Sequence, residues 1–540
     1  MRKLTITFSL LVSISTIAQK FTEVSNQVGI DYQYPGLDVQ EIGAGITILD
    51  VNNDGWDDIF QAGGIFPSKL WLNKKGKFID ATNEYGLNVI DSIFVQGAVS
   101  GDFDNDGYTD LFIANMGIPP HRGDNHPPIL LKNVKGKAFK VVLQNSFTQK
   151  GNYPGATWGD INNDGFLDLF VVNYVEEIGN TFDSLGNANA YTPFCLPNQL
   201  FLNNSGLSFK NVAKEFNLDN EGCGLACCFT DFDNDNDIDL ILLNDFGHFN
   251  GIGNRIYRNE FPKQQFIDLS DSLNFYDEFY AMGVGPGDFN NDGKLDYYLT
   301  NIGRNRLMTN QLNGFFDVAQ KLNVDTQFHH ESVLSTSWSG IFFDAENDGD
   351  QDLFVAKGYL ESMESNAVLD QNKFFINDGN GNFEDRSILS QLNDSIVQRG
   401  AATLDYNHDG YLDLVTGVIK DTRSELARTS QKIKLYRNDS DKQNNWIGFK
   451  LIGSENVNSD CIGCSVTIKM KNGAIQIKEV DGGSGHNSQS TKVLYFGLGE
   501  QKCAKNISIQ WLGNSEQEIK ELKSGRVYEV KLNGKIKKIY

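Results

Sequence analysis

The chain has 540 residues and a formal net charge of −23, with 70 Asp and Glu against 47 Lys and Arg. That charge excludes a nucleic-acid binder, which needs a basic surface to meet phosphates, and the length exceeds what one small core holds. With 53 Gly and 37 Phe, the composition predicts short strands and tight turns, an all-β class.

The N-terminal stretch MRKLTITFSLLVSISTIAQ has a basic start, an apolar run and the small residue Ala18. It reads as a secretory signal, residues 1–18, cleaved near Ala18 and Gln19; a buried strand is the alternative. No later apolar run is long enough to span a bilayer, so no transmembrane segment is expected and the mature chain should be secreted, periplasmic or held at the cell surface.

Seven acidic loops follow: DVNNDGWDD from Asp50, DFDNDGYTD from Asp102, DINNDGFLD from Asp160, DFDNDNDID from Asp231, DFNNDGKLD from Asp288, DAENDGDQD from Asp344 and DYNHDGYLD from Asp405. Oxygens at positions 1, 3, 5, 7 and 9 can wrap a hard cation, and calcium takes six to eight oxygens from carboxylates, amides and a backbone carbonyl. One copy could be an Asx-turn on a solvated loop; seven copies at one spacing point to calcium, up to seven structural ions. The expected ligands are Asp50, Asn52, Asp54, Trp56 and Asp58 in the first loop, then Asp102, Asp104, Asp106, Tyr108 and Asp110 in the second. The third uses Asp160, Asn162, Asp164, Phe166 and Asp168, and the fourth Asp231, Asp233, Asp235, Asp237 and Asp239. The fifth uses Asp288, Asn290, Asp292, Lys294 and Asp296, and the sixth Asp344, Glu346, Asp348, Asp350 and Asp352. The seventh uses Asp405, Asn407, Asp409, Tyr411 and Asp413. Position 7 acts through its carbonyl. Position 6 is a turn glycine except at Asn236, a residue that tolerates left-handed backbone better than most; Glu346 is the other departure, one methylene longer than Asp. Seven divalent ions would offset more than half of the net charge.

Each loop sits inside a longer unit of four strand-like pieces, and a repeat on that scale fixes the fold. A small-residue stretch (VQGAVSG, MGVGPG) precedes the loop, and an apolar run (DLFIAN, DLILLN) follows it. A third piece ends in Asn (KLWLN, KFFIN), and a fourth begins with Phe (FIDAT, FEDRS). In a β-propeller the innermost strands crowd the axis and favour small residues. The second strand, covered on both faces, reads as continuous apolar sequence. The last unit lacks its Phe strand, while FTEVS at 21–25 has that form, so the N-terminus is expected to complete the seventh blade. An open solenoid, the alternative, would not need the permuted strand.

After residue 440 the alternating segments IGFKL, SVTIKM, IQIKEV, ISIQW and VYEVKL describe a small β-rich domain over 441–540, in which GGSGH reads as a hairpin or loop. Seven cysteines leave at least one thiol unpaired within the chain. Cys461 and Cys464 are close enough in sequence to pair, as are members of Cys195, Cys223, Cys227 and Cys228, and a zinc site among them is a further alternative.

The repeats resemble the FG-GAP/VCBS type of integrin α-subunit propellers and bacterial surface proteins over residues 19–440. NNWIGFKLIGSENVNSDCIGCSVTIK, EVDGGSGHNSQSTKVLYFGLG and IQWLG resemble the ASPIC/UnbV domain that follows the propeller in relatives of cartilage acidic protein. The chain departs from that family's usual residues at Cys461, Cys464, Tyr495 and Leu512. The resemblance implies a seven-bladed propeller followed by an ASPIC/UnbV-like domain, and a non-catalytic role in adhesion or recognition of a protein or glycan.

Strand geometry puts the calcium loops on one face and the long connections, Met116 to Pro128, Val175 to Asn198 and Ala319 to Trp338, on the other, where loops of such length are often functional. The other readings are an extracellular hydrolase acting on glycan or lipid, with His121, His126, His329, His330 and Glu331 as candidates, and a scaffold. Arg122, Gly123 and Asp124 spell an integrin-ligand tripeptide, which arises often enough by chance to carry little.

Overall fold

The computed structural model describes residues 20–32, 43–116, 126–143, 146–182, 188–326, 334–360, 370–419, 433–454, 456–513, 515–532 and 534–540. The signal segment, His121, the Arg122–Gly123–Asp124 tripeptide, His329, His330 and Glu331 lie outside these residues.

The regular secondary structure of the described residues is almost all strand, as expected, and is organised as repeated four-stranded sheets of the propeller type. Seven of these sheets come from the repeat region, each in simple meander order around one acidic loop. The second sheet is typical: Val95–Gly101, Asp110–Asn115, Ile129–Asn133 and Phe139–Val141. Its first two strands are buried along their whole length, which is why the sequence there is small and then continuously apolar. The third sheet carries an insertion, a hairpin of Val175–Phe182 and Ala188–Cys195 between its second and third strands. In the last sheet Phe21–Glu23 pairs with Ile433–Asn438, Phe21 opposite Asn438.

The Asn that ends each third strand ties the sheets together. Its backbone N–H donates to the position-9 carboxylate of its own loop, and its side-chain amide donates to the position-2 carbonyl of the preceding loop. Asn133 thus reaches Val51 at 2.8 Å, Asn203 reaches Phe103 at 2.8 Å, and Asn438 reaches Ala345 at 2.8 Å. Asn73, in the first sheet, reaches Tyr406 in the seventh at 2.9 Å, so the chain of bonds is cyclic. The N-terminal strand is packed to match. Phe21 is fully buried and meets the rings of Phe343 and Phe374 edge-on. Phe21→Ala leaves a cavity at this junction and is expected to cost about 3–5 kcal/mol, read as a lower thermal midpoint; an unchanged midpoint would show that the strand adds nothing to the ring.

Residues after 440 form two more four-stranded sheets. One pairs Asn445–Ile452 with Leu494–Gly499 and Arg526–Lys531, the latter joined by Lys535–Lys538. The other pairs Ser465–Lys469 with Ile475–Glu479 and Cys503–Trp511, the latter joined by Ser515–Lys523. This unit sits on the acidic-loop end of the ring and inserts the segment around GGSGH among the innermost strands. Gly482 accepts from Trp158 N at 3.0 Å, Gly485 exchanges bonds with Val284, and Gln489 exchanges bonds with Ile46 and Ile48. Ser488 Oγ accepts from Ile46 N, Gln489 Oε1 from Ser100 N, and Ser339 Oγ from His486 N. His486 Nδ1 donates to the Met282 carbonyl at 2.8 Å, and burial lowers its pKa to about 4, so the ring is neutral. Gly97 shows why the inner strands need small residues: a Cβ there would stand 2.5 Å from the Asn487 carbonyl oxygen.

Cys195 and Cys223 form a disulfide. Cys227, Cys228, Cys461 and Cys464 are buried free thiols, so the pairing left open for Cys461 and Cys464 is not made. No helix among the described residues is long and apolar enough to cross a membrane.

Candidate metal centres

The acidic loops share one backbone. Position 4 adopts the left-handed conformation in every copy (Asn53, Asn105, Asn163, Asn234, Asn291, Asn347 and His408), and position 6 does the same, from Gly410 at φ 83° to Gly349 at 107°, with Asn236 at 71°. Glycine meets that demand without a Cβ penalty, and Asn236 meets it as the exception the sequence allows.

This double reversal turns backbone donors inward. In the first loop Asp50 accepts from the N–H groups of Asp54 and Gly55, each at 3.0 Å, and Asp54 Oδ1 accepts from Trp56 N at 3.1 Å. Asp58 accepts from Val51 N at 3.0 Å and Asn73 N at 2.7 Å. Position 7 thus gives its backbone N–H to the position-5 carboxylate.

In the second, fourth and sixth loops the carboxylates of positions 1, 3 and 9 converge: Asp102, Asp104 and Asp110; Asp231, Asp233 and Asp239; Asp344, Glu346 and Asp352 each bring ligand oxygens within 4.8 Å of one another. The longer Glu346 still reaches the cluster. Among the described residues the tight groups of this kind are all carboxylate, with no cysteine set among them. Where position 3 is Asn, its Oδ1 turns to the position-5 N–H, at 2.9 Å for Asn52 and 3.0 Å for Asn290.

These clusters fit a hard cation. Asp104 Oδ1 is buried with no hydrogen-bond partner among the described residues, a costly arrangement for a carboxylate unless an ion is bound. Lysines lean on the same groups: Lys132 bridges Asp104 and Asp106, Lys442 meets Asp409, and Lys450 Nζ lies 3.5 Å from Asp50. Burial and like-charged neighbours push the position-1 and position-9 acids upward, Asp102 to about 6, Asp160, Asp288 and Asp405 to about 7, and Asp110 to about 9.

The sign of the resulting pH dependence follows from linkage. Between the unfolded carboxylate pKa and these raised values the metal-free fold binds more protons than the unfolded chain, so its stability falls as pH rises. In chelator the melting midpoint is therefore expected to drop between about pH 5 and pH 8. The stabilisation by added calcium should grow over the same window; a calcium effect that shrinks as pH rises would contradict it.

Two sets of residues were not singled out from the sequence. Position-4 asparagines link neighbouring loops: Asn53 Nδ2 donates to the Gly107 carbonyl at 2.6 Å, Asn105 to Gly165 at 2.8 Å, and Asn347 to Gly410 at 3.0 Å. Asn at that position in six of seven copies was the available signal. The other set lies beyond residue 440. Ser459 Oγ donates to Asp102 at 2.6 Å, Glu479 Oε2 accepts from Asp231 N at 3.1 Å, and Tyr495 Oη donates to Asp405 at 3.3 Å.

Comparison with known proteins matches this architecture. The model of the FG-GAP-like repeat fits residues 50–113, 102–171, 231–299, 288–355 and 344–416, together more than half of the chain and including all seven loops. The ASPIC and UnbV model fits residues 454–537. Cartilage acidic protein 1 of Xenopus tropicalis is 23% identical over 517 residues, covering 91% of this chain and 73% of its own length. The Mus musculus protein of the same name is 23% identical over 526 residues with the same coverage. Among solved structures, a lectin from Agrocybe aegerita described as recognising non-reducing terminal N-acetylglucosamine aligns with a TM-score of 0.39 and 15% identity, covering 74% of this chain and 87% of its own. The chain belongs to the FG-GAP-like repeat family, with an ASPIC and UnbV domain behind the repeats.

Proposed function

We propose that the protein is a secreted or cell-surface, non-catalytic recognition protein that carries calcium in its acidic loops and binds a protein or glycan through the opposite end of the ring. The observation that carries this reading is the seat of the C-terminal unit: it occupies the acidic-loop end and fills the space between the inner strands, which leaves the other end as the open one. The long connection there is pre-organised. The Val175–Cys195 hairpin is pinned by the Cys195–Cys223 disulfide, and Asn250 Nδ2 donates to Cys195 Sγ at 3.6 Å. Beside it Tyr174, Phe246, His248, Phe249 and Tyr280 pack ring against ring, and aromatic surfaces of this kind suit contact with sugars or apolar side chains. Relatives named for cartilage support an extracellular setting.

The test is a glycan array and a panel of extracellular matrix proteins, probed at saturating calcium with two variants. Replacing residues 177–193 by an Asn-Gly turn, which keeps Cys195, is expected to abolish recognition while leaving the melting midpoint unchanged. Asp102→Ala is expected to keep it. Loss of binding confined to Asp102→Ala, with normal melting, would move recognition to the acidic-loop end and overturn the assignment.

A further inference from the structure

The turn from Asn458 to Cys464 is where the C-terminal domain grips the second loop. Ser459 Oγ donates to Asp102 at 2.6 Å, Ser459 N donates to Asn105 Oδ1 at 3.0 Å, and Asp460 Oδ2 accepts from Asp102 N at 2.9 Å. The turn is closed by bonds of its own. The Asn458 carbonyl accepts from Cys461 N at 2.9 Å, Asn458 Oδ1 accepts from Ile462 N at 2.9 Å, and the Cys461 carbonyl accepts from Cys464 N at 2.8 Å. The last of these is the bond of a β-turn, which holds its first and fourth Cα atoms within about 7 Å. A disulfide needs a Cα separation of about 4.4–6.8 Å.

The structure holds Cys461 and Cys464 as thiols, fully buried and hydrogen-bonded to each other. Cys461 takes the left-handed backbone, φ 54°, which an ordinary packing residue avoids. The other buried pair has a different setting. Cys227 and Cys228 are consecutive on the strand Gly224–Thr230, so their side chains point to opposite faces, and each fills a separate apolar cluster. Among the described residues the convergent metal-ligand groups contain no cysteine, so Cys461 and Cys464 are left to react with each other.

We propose that Cys461 and Cys464 are an oxidation site, joined in the folding chain as a second disulfide that clamps the docking turn. Each Sγ gives up its hydrogen and an S–S bond forms; the two electrons and two protons pass to the disulfide of an external oxidant such as oxidised glutathione, whose S–S bond breaks to two thiols. Exchange requires a thiolate that can reach the oxidant. Burial keeps the Cys461 thiol well above its usual range and out of contact with solvent, so the step belongs to the chain before the domain docks. Docking then seals the bond from reductant. The clamp restricts the unfolded turn and presents Ser459 and Asp460 to the second loop in one geometry.

The test is to refold the full-length chain in a glutathione redox buffer with calcium, denature it without reductant, alkylate it and map its peptides. The peptide 451–469 is expected two hydrogens lighter than its dithiol form and free of alkyl groups, with Cys227 and Cys228 alkylated. Dithiothreitol should open the bond in the denatured chain and leave it closed in the native one. The double variant Cys461→Ala, Cys464→Ala keeps small apolar side chains in the turn. It is expected to melt a few degrees below the oxidised wild type and to exchange amide hydrogens faster over 458–464; wild type refolded and kept in reductant should match it. Alkylation of both cysteines after refolding in oxidised glutathione would overturn the site. Equal melting and equal exchange of the oxidised chain, the reduced chain and the double variant would overturn the clamp. Both readouts are independent of what binds at the open end of the ring.

Discussion

Removing calcium is expected to cost this protein about as much free energy as a whole domain usually has. If free calcium stands at roughly ten times each site's Kd, binding to the folded state alone contributes about 1.4 kcal/mol per site, and on the order of 10 kcal/mol over seven independent sites. A typical domain has about 5–15 kcal/mol in total. The physical source is visible in Asp110 and Asp102, whose carboxyls burial and mutual repulsion push to about 9 and about 6 without a cation. At about 2.1 cal/mol/K of unfolding entropy per residue, a loss of that size lowers the melting midpoint by roughly 10 °C. Differential scanning calorimetry in calcium and in chelator measures it directly. Superimposable melts, with no metal in the protein as purified, would remove the ion from the account of stability.

Deleting residues 441–540 should be at least as damaging, because the C-terminal unit shares its core with the ring. Trp158, Phe229 and Ile238 of the repeats belong to one buried apolar cluster with Cys461, Ile462 and Leu512. Ile238 is so close to the turn at Gly463 that a Cβ there would lie 2.6 Å from its Cδ1. Re-exposing three or four large side chains at about 1.5–3 kcal/mol each loses on the order of 5–10 kcal/mol. The inner-strand donors Ile48 N, Trp158 N and Val284 N also lose their acceptors in the inserted segment. The truncated chain is expected to aggregate, or to melt far below the full one in calcium. A soluble monomer with the full-length midpoint, by size exclusion and calorimetry, would show that the two units are independent.

What could be read from the sequence was local and periodic. The loop spacing, the small, apolar, Asn-ended and Phe-led strands, and the tolerance of Asn236 for a glycine's place all follow from backbone chemistry within a few residues. What could not be read depends on surfaces brought together from far apart. GGSGH is a plausible loop in any setting, and nothing near it announces that Gly485 and Gln489 will bond to strands two to four hundred residues earlier. Glu479 and Asp460 look like ordinary surface acids in a strand and a turn; only the docked arrangement sets them beside Asp231 and Asp102. The position-4 asparagines stand between these cases. Asn recurs there in six of the seven loops, but the bond from Asn53 to Gly107 crosses from one sheet to the next. The disulfide was open for the same reason: several partners were near in sequence, and folding chose Cys223 for Cys195.

The most direct test of the central claim is anomalous X-ray diffraction from crystals of the full-length protein grown in millimolar calcium. The expected result is a calcium peak inside the acidic loops that begin at Asp50, Asp102, Asp160, Asp231, Asp288, Asp344 and Asp405. Well-ordered loops with no anomalous density at any of the seven would contradict it.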